Sequence, residues 1–467
     1  MFEGMNERES IRQGYRFALA PTAAQERFLS SCCGASRFWF NQGLALVKDR
    51  LGRRTDGEDV RVPWSYKSLC SEFAPLKDEL CPWRSEVVVG SLQAGLEQLG
   101  HALQGYSKGR EAGRRVGFPR FRRKGRCHEA VIFQRPRFID SRHVLLDLRL
   151  GSLGTKESLR KLIRLLERDQ RARVLRSTVQ RSGGGWVISF TVERSPKNRR
   201  ARCPDLAVGV DVGLTRLATL STGQVAVNSR PLQAVLSKLR RLQRQLDRQR
   251  RSNNPGNYLP DGRIKPRPKS WIKSARMVRT EERLRRLHLR VANLRREQAH
   301  QLTTYLTREF GVIGLETLAV KNLLGNGRLA RHIADVGWGT ILIQLQYKTA
   351  WSNGSLLVAA DRFYPSSKTC SACGAVRAKL SLSERVFTCA ACGHVLDRDL
   401  NAALNLARMA QRHAQAEGLQ CNVAATGAET QNARRGQVRL DSVEHSPAKR
   451  EESSDSSQRG DALALVA

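Results

Sequence analysis

Read by its alternation of apolar and polar positions, the chain opens with a short strand, Arg16-Phe-Ala-Leu-Ala20, closed by Pro21 and followed by Thr22 placed as the N-cap of a helix from Ala23. A mostly helical stretch to about Gly105 follows, in which Val87, Leu92, Leu96, Leu99 and Leu103 recur at helical spacing and read as core. From Glu129 to Glu193 the pattern shortens to β-rich runs: Ala130–Phe133, Val144–Leu146 and Trp186–Val192, the last after a Gly183-Gly184-Gly185 turn. These predict a small barrel or sandwich that also takes in the N-terminal strand, with the helical stretch as an insertion. Pro196–Arg200 reads as a linker.

A second pattern starts at Leu206. An apolar run ends at Asp211, Leu217–Leu220 continues as a strand, and Ser221–Gln224 turns the chain into Val225–Val227. Leu232, Val235, Leu236, Leu239, Leu242 and Leu246 mark one face of a helix that breaks at Asn253-Asn254-Pro255-Gly256. Leu284, Leu287, Val291, Leu294, Leu302 and Leu306 mark another. The buried run Val312–Leu315 ends at Glu316; a helix over Trp338–Trp351, a strand over Leu356–Ala360 and a helix from Asp399 complete the pattern. From about Ala416 the chain is poor in apolar residues and reads as a disordered tail.

Charge changes the picture. Across 467 residues, Lys and Arg number 81 against 43 acids, a formal charge of +38 that points to a polyanionic partner, nucleic acid first. Between Arg230 and Phe310 stand 22 basic residues and six acids, whereas the chain from Ala416 carries six basic residues and eight acids. The positive surplus therefore lies where the fold is. Gln104–Arg126 adds nine basic residues against Glu111 alone, interleaved with Tyr106, Phe118 and Phe121; Arg114, Arg115, Arg120, Arg122, Arg123 and Lys124 are its candidate phosphate contacts. The start is polar, no stretch reaches the length of a membrane span, and seven cysteines, Cys32, Cys33, Cys70, Cys81, Cys127, Cys203 and Cys421, are scattered without framework spacing. The expectation is an intracellular, unanchored protein.

Two clusters carry chemistry. Cys370, Cys373, Cys389 and Cys392 form C-x2-C-x15-C-x2-C, two tight turns whose four thiolates complete a closed tetrahedron for one structural Zn²⁺. His394 stands beside them as a neighbour or substitute ligand. Ser366, Ser367, Lys368 and Thr369, just ahead of the first cysteine, could contact phosphate or simply form a turn. Asp211 and Glu316 end buried strands, where an unpaired charge is costly, and Asp399 opens a helix, where N-capping is the alternative role. Three acids on separate elements of so basic a chain point to two Mg²⁺ ions about 3.5–4 Å apart that activate a water and stabilise the leaving 3′ oxygen of a phosphodiester. Asp211 would bridge them, Glu316 and Asp399 would hold one each, and Asp397 is the alternative third ligand. Histidines are few and unclustered, which argues against a histidine nucleophile or base.

Gly209-Val-Asp-Val-Gly-Leu214, Val312-Ile-Gly-Leu-Glu316, Phe363-Tyr-Pro-Ser-Ser-Lys-Thr-Cys370 and Asp397-Arg-Asp-Leu-Asn-Ala-Ala403, extended by Arg16–Gln25 and Gly117–Phe121, resemble the TnpB family of transposon-encoded RNA-guided nucleases and their relatives, the compact type V CRISPR effectors. The short length and polar tail look more like TnpB. The resemblance implies an α+β multidomain chain. A wedge-like β-barrel (1–24 and 127–195) would hold a helical recognition insertion (25–126), and a ribonuclease-H-like RuvC nuclease domain (205–365 and 397–415) would hold an inserted zinc ribbon (366–396), with a disordered tail at 416–467. It further implies Asp211, Glu316 and Asp399 as the acidic triad, the D-x-N placement favouring Asp399 over Asp397. Guide RNA and target DNA would be the partners, a short target-adjacent motif would be read, and base pairing would supply most sequence specificity. Tyr66, Lys67 and Gln93 are candidate contacts to that motif, and Lys368 to nucleic acid. A guided binder without cleavage, or a DNA transposase working without RNA, are the alternatives.

Overall fold

The computed structural model describes residues 10–125, 127, 129–196, 200–266, 268–352, 354–381 and 383–425. They divide into two compact units. One takes in the chain up to Arg202 together with Pro231–Arg308 and Thr340–Ser355; the other takes in Cys203–Arg230, Glu309–Gly339 and the chain from Leu356.

In the first unit β1 (Ile11–Ala18) leads to α1 (Ala23–Thr55), α2 (Tyr66–Phe73), the single turn α3 (Lys77–Leu80) and α4 (Val89–Glu111). Thr22 caps α1 in a capping box: its hydroxyl accepts from the Gln25 amide while the Gln25 side chain accepts from the Thr22 amide. Trp39, Phe40, Leu44 and Val47 of α1 pack with Leu69 and Phe73 of α2 and with Leu96, Leu99 and Leu103 of α4, so the helical periodicity does mark core. The strands that follow are β2 (Ala130–Phe133), β3 (Arg137–Phe138), β4 (His143–Leu145) and β5 (Ser152–Gly154), then α5 (Arg160–Arg168), β6 (Arg173–Ser182) and β7 (Gly185–Arg194). They make two antiparallel sheets, one ordered β1-β7-β6-β2 and one ordered β3-β4-β5. A closed barrel is not formed among the described residues, contrary to expectation. β3 is only two residues long and β4 and β5 three each, so the sheets meet through a lone Leu19–Thr155 bridge and a shared core of Leu19, Val131, Val144, Leu153 and Phe190.

Two long helices, α6 (Pro231–Asn253) and α7 (Ala275–Glu309), join through Leu239, Leu242 and Leu287 and keep most of their arginines outside that seam. Between them Asn254 and Asn257, both buried, bond to the backbone of Ile272 and Lys269 and hold the connecting loop in shape.

The second unit is built on β8 (Cys203–Val212), β9 (Arg216–Leu220), β10 (Val225–Val227), β11 (Phe310–Leu315) and β12 (Leu356–Ala359). Their order in the sheet is β10-β9-β8-β11-β12. The first three form an antiparallel meander, and β11 and β12 run parallel to β8. Between β11 and β12 in the chain lie α8 (Val320–Leu323) and α9 (Ala330–Val336), and then α10 (Trp338–Trp351), most of which belongs to the first unit. A hairpin of β13 (Val386–Thr388) and β14 (Val395–Asp397) runs directly into α11 (Arg398–Ala416). The chain stays ordered past 416, where a tail was expected: β15 (Asn422–Val423) pairs with Leu206 and Ala207 of β8, and Cys421 and Ala424 are buried. Local apolar content missed this strand because it is two residues long and stabilised by a distant partner. The remaining expected tail, from 426, lies outside the described residues, as do Arg126 of the basic segment and 197–199 of the linker.

Candidate active site and metal centre

The sheet of the second unit sets the carboxylates by register. Leu315 of β11 is opposite Val210 of β8, so Glu316 and Asp211 leave adjacent parallel strands at the same level. The third acid arrives on α11, which lies directly on β8 and β11. The contact needs glycine: a Cβ on Gly209 would sit 1.8 Å from the Ala403 carbonyl oxygen, and one on Gly314 would sit 2.4 Å from that of Leu406. Gly209 and Gly314 are themselves register partners, and Ala402, Ala403, Ala407 and Ala410 on the helix are fully buried. With backbone against backbone, Asp399 lies one turn ahead of Ala403, at the end of the sheet where Asp211 and Glu316 emerge.

Electrostatics ties the three together. Burial pushes the Asp211 carboxyl well above the usual carboxylate range, the charges of Glu316 and Asp399 push the same way, and Arg398 opposes them. Burial likewise pushes Glu316 up to about 7, against a hydrogen bond donated by the Val212 amide and with a further push from Asp399. Arg398 is 3.5 Å from Asp399. Asp397 is occupied elsewhere: it is the N-cap of α11, accepting from the amides of Asp399 and Leu400 at 3.0 and 3.1 Å, and Arg216 donates to it at 3.1 Å. The capping role open to Asp399 from its position is therefore taken by Asp397.

The four cysteines converge. Their sulfurs all lie within 4.8 Å of one another, with Cys370 to Cys392 at 3.7 Å and Cys373 to Cys389 at 3.6 Å. Zn–S bonds of about 2.3 Å in a tetrahedron require sulfurs about 3.8 Å apart, so the thiolates fit zinc. Each C-x2-C turn closes alike: the Gly374 amide donates to the Cys370 carbonyl and the Gly393 amide to that of Cys389, with both glycines at positive φ. Amides of Cys392 and Ala391 donate to the Cys389 sulfur and lower its pKa to about 6. His394 contributes its carbonyl, which accepts from the Cys389 amide, and is not in the sulfur cluster.

Of the two residues that join this centre to α11, sequence reading used Asn401 only as part of the D-x-N motif and passed over Asn405. Asn401 and Asn405 are buried in the helix. Asn401 accepts from the Ser371 amide and donates to the Thr369 carbonyl, and Asn405 donates to the carbonyls of Ser366 and Thr369. The segment 366–371 is thus a turn clamped to the helix, and Lys368 donates to the Ala378 carbonyl from an exposed position. The signal available was two asparagines one turn apart on an otherwise apolar helix face.

In the first unit Tyr66 and Gln93 line one cleft of about 630 Å³ with Trp39, Lys77, Leu92 and Arg149. Burial and a hydrogen bond with Cys70 raise the Tyr66 phenol to about 12. Lys67 is exposed and outside that lining. Arg114, Arg115, Arg120, Arg123 and Lys124 are exposed, but Arg122 is turned inward: its guanidinium lies 3.7 Å above the Phe40 ring and donates to Gln98, and its backbone exchanges hydrogen bonds with Asn41. Tyr106 and Phe118 pack on each other and Trp64, leaving Phe121, half exposed under Lys48, as the available ring of that segment. Lys238, Arg241, Arg283, Arg286 and Arg290 line a groove of about 420 Å³ along α6 and α7.

Three family models match the chain: one described as "Probable transposase" over 189–327, "Cas12f1-like, TNB domain" over 338–406, and "Helix-turn-helix domain" over 5–55. The described part of the last span is one strand and one continuous helix. A Mycobacterium tuberculosis protein named "Putative RNA-guided DNA endonuclease Rv2885c" is 36% identical over 425 residues, covering 85% of this chain and 86% of that one. The chain belongs to the TnpB family. A TnpB-like protein of Acanthamoeba polyphaga mimivirus is 25% identical over 207 residues, 43% of this chain and 36% of the viral one. Among solved structures, the Cas12f1-sgRNA-target DNA complex covers 86% of this chain and 99% of its own at 14% identity and a TM-score of 0.41. Within the TnpB family frame, the Cas12f1-like match spans α10, the four cysteines and the first turns of α11. No helix among the described residues is long and apolar enough to cross a membrane.

Proposed function

We propose that this chain is an RNA-guided DNA endonuclease that cleaves target DNA by metal-dependent phosphodiester hydrolysis at Asp211, Glu316 and Asp399. The observation that carries the reading is the convergence of these three acids, on β8, β11 and α11, at one end of one sheet, where the charge of Asp399 makes ionising Asp211 and Glu316 costlier and that of Glu316 does the same to Asp211. Three partly buried carboxylates beside one arginine are a poor resting state unless cations join them. Oxygen donors on rigid elements suit Mg²⁺. Two Mg²⁺ ions, when bound, would supply charge for the attacking and leaving oxygens. Asp211, central in the electrostatic coupling, would bridge them; Glu316 and Asp399 would hold one each; Arg398 would steady Asp399 and meet the phosphate. The strand order β10-β9-β8-β11-β12, with three antiparallel strands followed by two parallel ones, supports a ribonuclease-H-like, RuvC-type domain.

Zinc in the four-thiolate centre would be structural, because closed ligation leaves no position for substrate. Guide RNA and target DNA would run along the exposed cations, the groove on α6 and α7 among them, and the cleft holding Tyr66 and Gln93 would read the short motif beside the target. The wedge-like, recognition, nuclease and ribbon divisions expected from sequence form part of the same proposal.

The test is to purify the protein, sequence the RNA that comes with it, and assay cleavage of DNA complementary to that RNA in Mg²⁺. Guided cleavage by the wild type, with cleavage lost and binding kept in Asp211→Ala, is the expected result. Cleavage indifferent to RNA would favour the transposase alternative, and unimpaired function in Asp211→Ala would favour a guided binder.

A further inference from the structure

We propose that Phe363, with Arg362 beside it, is a stacking platform that holds one unpaired base of a single-stranded substrate next to the carboxylate site. The inference deepens the endonuclease reading and rests on it.

Phe363 is 83% exposed, against 50% for Phe121. Single exposed apolar residues are ordinary; the placement of this one is not. Ala359 of β12 is opposite Leu315 of β11, and the Ala360 amide donates to the Leu315 carbonyl, so the chain leaves β12 abreast of Glu316. Thr317 closes that edge by donating to the Ala360 carbonyl at 2.7 Å. Phe363 follows three residues later, at the end of the sheet where the acids gather.

The ring is also held in position. The Asp361 carboxylate accepts from the Phe363 amide at 2.9 Å and the Asp361 carbonyl from the Tyr364 amide, a tight turn that aims residue 363 outward. Tyr364 donates its hydroxyl to the Asn405 carbonyl, and Asn405 donates to the Ser366 carbonyl, so the segment is anchored to the same helix that carries Asp399. A ring that merely lost its packing partner would not be expected on a turn tied at both sides.

Arg362 supplies the complementary charge. Its guanidinium is 5.5 Å from the Phe363 ring centroid and exposed. With the guanidinium over one face of a ring that is 83% exposed, the opposite face matches one base and the nearby cation its phosphate. Bases within a duplex have their faces covered by neighbours, so the platform selects a strand already separated, and it would fix the register of the scissile phosphate against the acids.

The test uses the protein with its guide RNA, under single-turnover conditions, on single-stranded and duplex targets. Phe363→Ala should slow cleavage of the single strand roughly five- to hundredfold. Phe363→Trp should stay near wild type, Phe363→Leu, which keeps apolar bulk without the π face, should be as slow as alanine, and Arg362→Ala should lose less. In an Asp211→Ala background, fluorescence of 2-aminopurine placed beside the cut position should be quenched, and Phe363→Ala should relieve the quenching. Equal rates for wild type, Phe363→Ala and Phe363→Leu, or unchanged quenching, would overturn the platform while leaving the endonuclease reading intact. A wild-type protein that cuts nothing would sink that reading instead.

Discussion

The thiolate centre and the carboxylate site lie on the same unit, and both gather anionic side chains, but they treat the charge oppositely. At the cysteines the backbone is arranged for the anion, with amides of Cys392 and Ala391 lowering Cys389 to about 6 and the His394 amide donating to Cys392, even though the neighbouring thiols push Cys392 up to about 12. At the acids, burial and like charge work against the anion and hold Asp211 high and Glu316 near 7. A centre with built-in donors is prepared to close around its ion and stay shut. A site that leaves its charges uncompensated keeps its strongest attraction for cations and for the phosphate they bring. On the proposed function, this contrast is what would separate a structural centre from a chemical one.

The largest effect should come from removing the acid on which the coupling centres. Asp211→Ala should cut the cleavage rate by about 10³-fold or more, since metal-borne charge stabilisation contributes several kcal/mol and each 1.4 kcal/mol is about tenfold; single-turnover assays at saturating Mg²⁺ measure it. Disrupting the thiolate centre should cost less. Cys370→Ser with Cys389→Ser should abolish zinc binding, seen by metal analysis, and slow cleavage by about 10- to 100-fold, the usual range for groups that orient ligands without contacting substrate. A double variant with full activity would remove the ribbon's placing role.

Gly209→Ala probes the helix seat common to both. Its Cβ would meet the Ala403 carbonyl oxygen, so thermal unfolding should show a loss of about 1–3 kcal/mol, the cost of overpacking, with zinc content unchanged. The smallest effect should be on pH dependence. Glu316 has a folded pKa near 7, above its ordinary value of 4.5. Its contribution to the metal-free fold is therefore complete below about pH 4.5 and lost as pH rises through 7. Mg²⁺ competes with that proton, so the rise in Tm on adding Mg²⁺ should be larger at pH 8 than at pH 5. Equal shifts at both would show that Glu316 does not meet the ion.

The same contrast explains what could be read from the chain. The cysteine turns are local, and C-x2-C with a following glycine states their geometry outright. The acids were visible as strand ends, but their meeting depends on the β8–β11 register and on α11 lying against Gly209 and Gly314, contacts between residues far apart in sequence. Sequence left Asp397 and Asp399 both open from position alone; only the cap hydrogen bonds and Arg216 show which carboxylate is engaged. The barrel expectation failed for a related reason. Alternation reports that strands exist, and closure depends on edge pairing that strands as short as β3 to β5 cannot supply. Basic runs proved the least legible, since charge alone could not tell inward Arg122 from exposed Arg123.

The most direct test of the central claim is guided DNA cleavage by Asp399→Asn and Asp397→Asn measured side by side in Mg²⁺. The geometry predicts that Asp399→Asn is inactive, while Asp397→Asn, which can still cap the helix, loses at most about 1 kcal/mol of stability and keeps cutting. An active Asp399→Asn beside an inactive Asp397→Asn would contradict the assignment of the site.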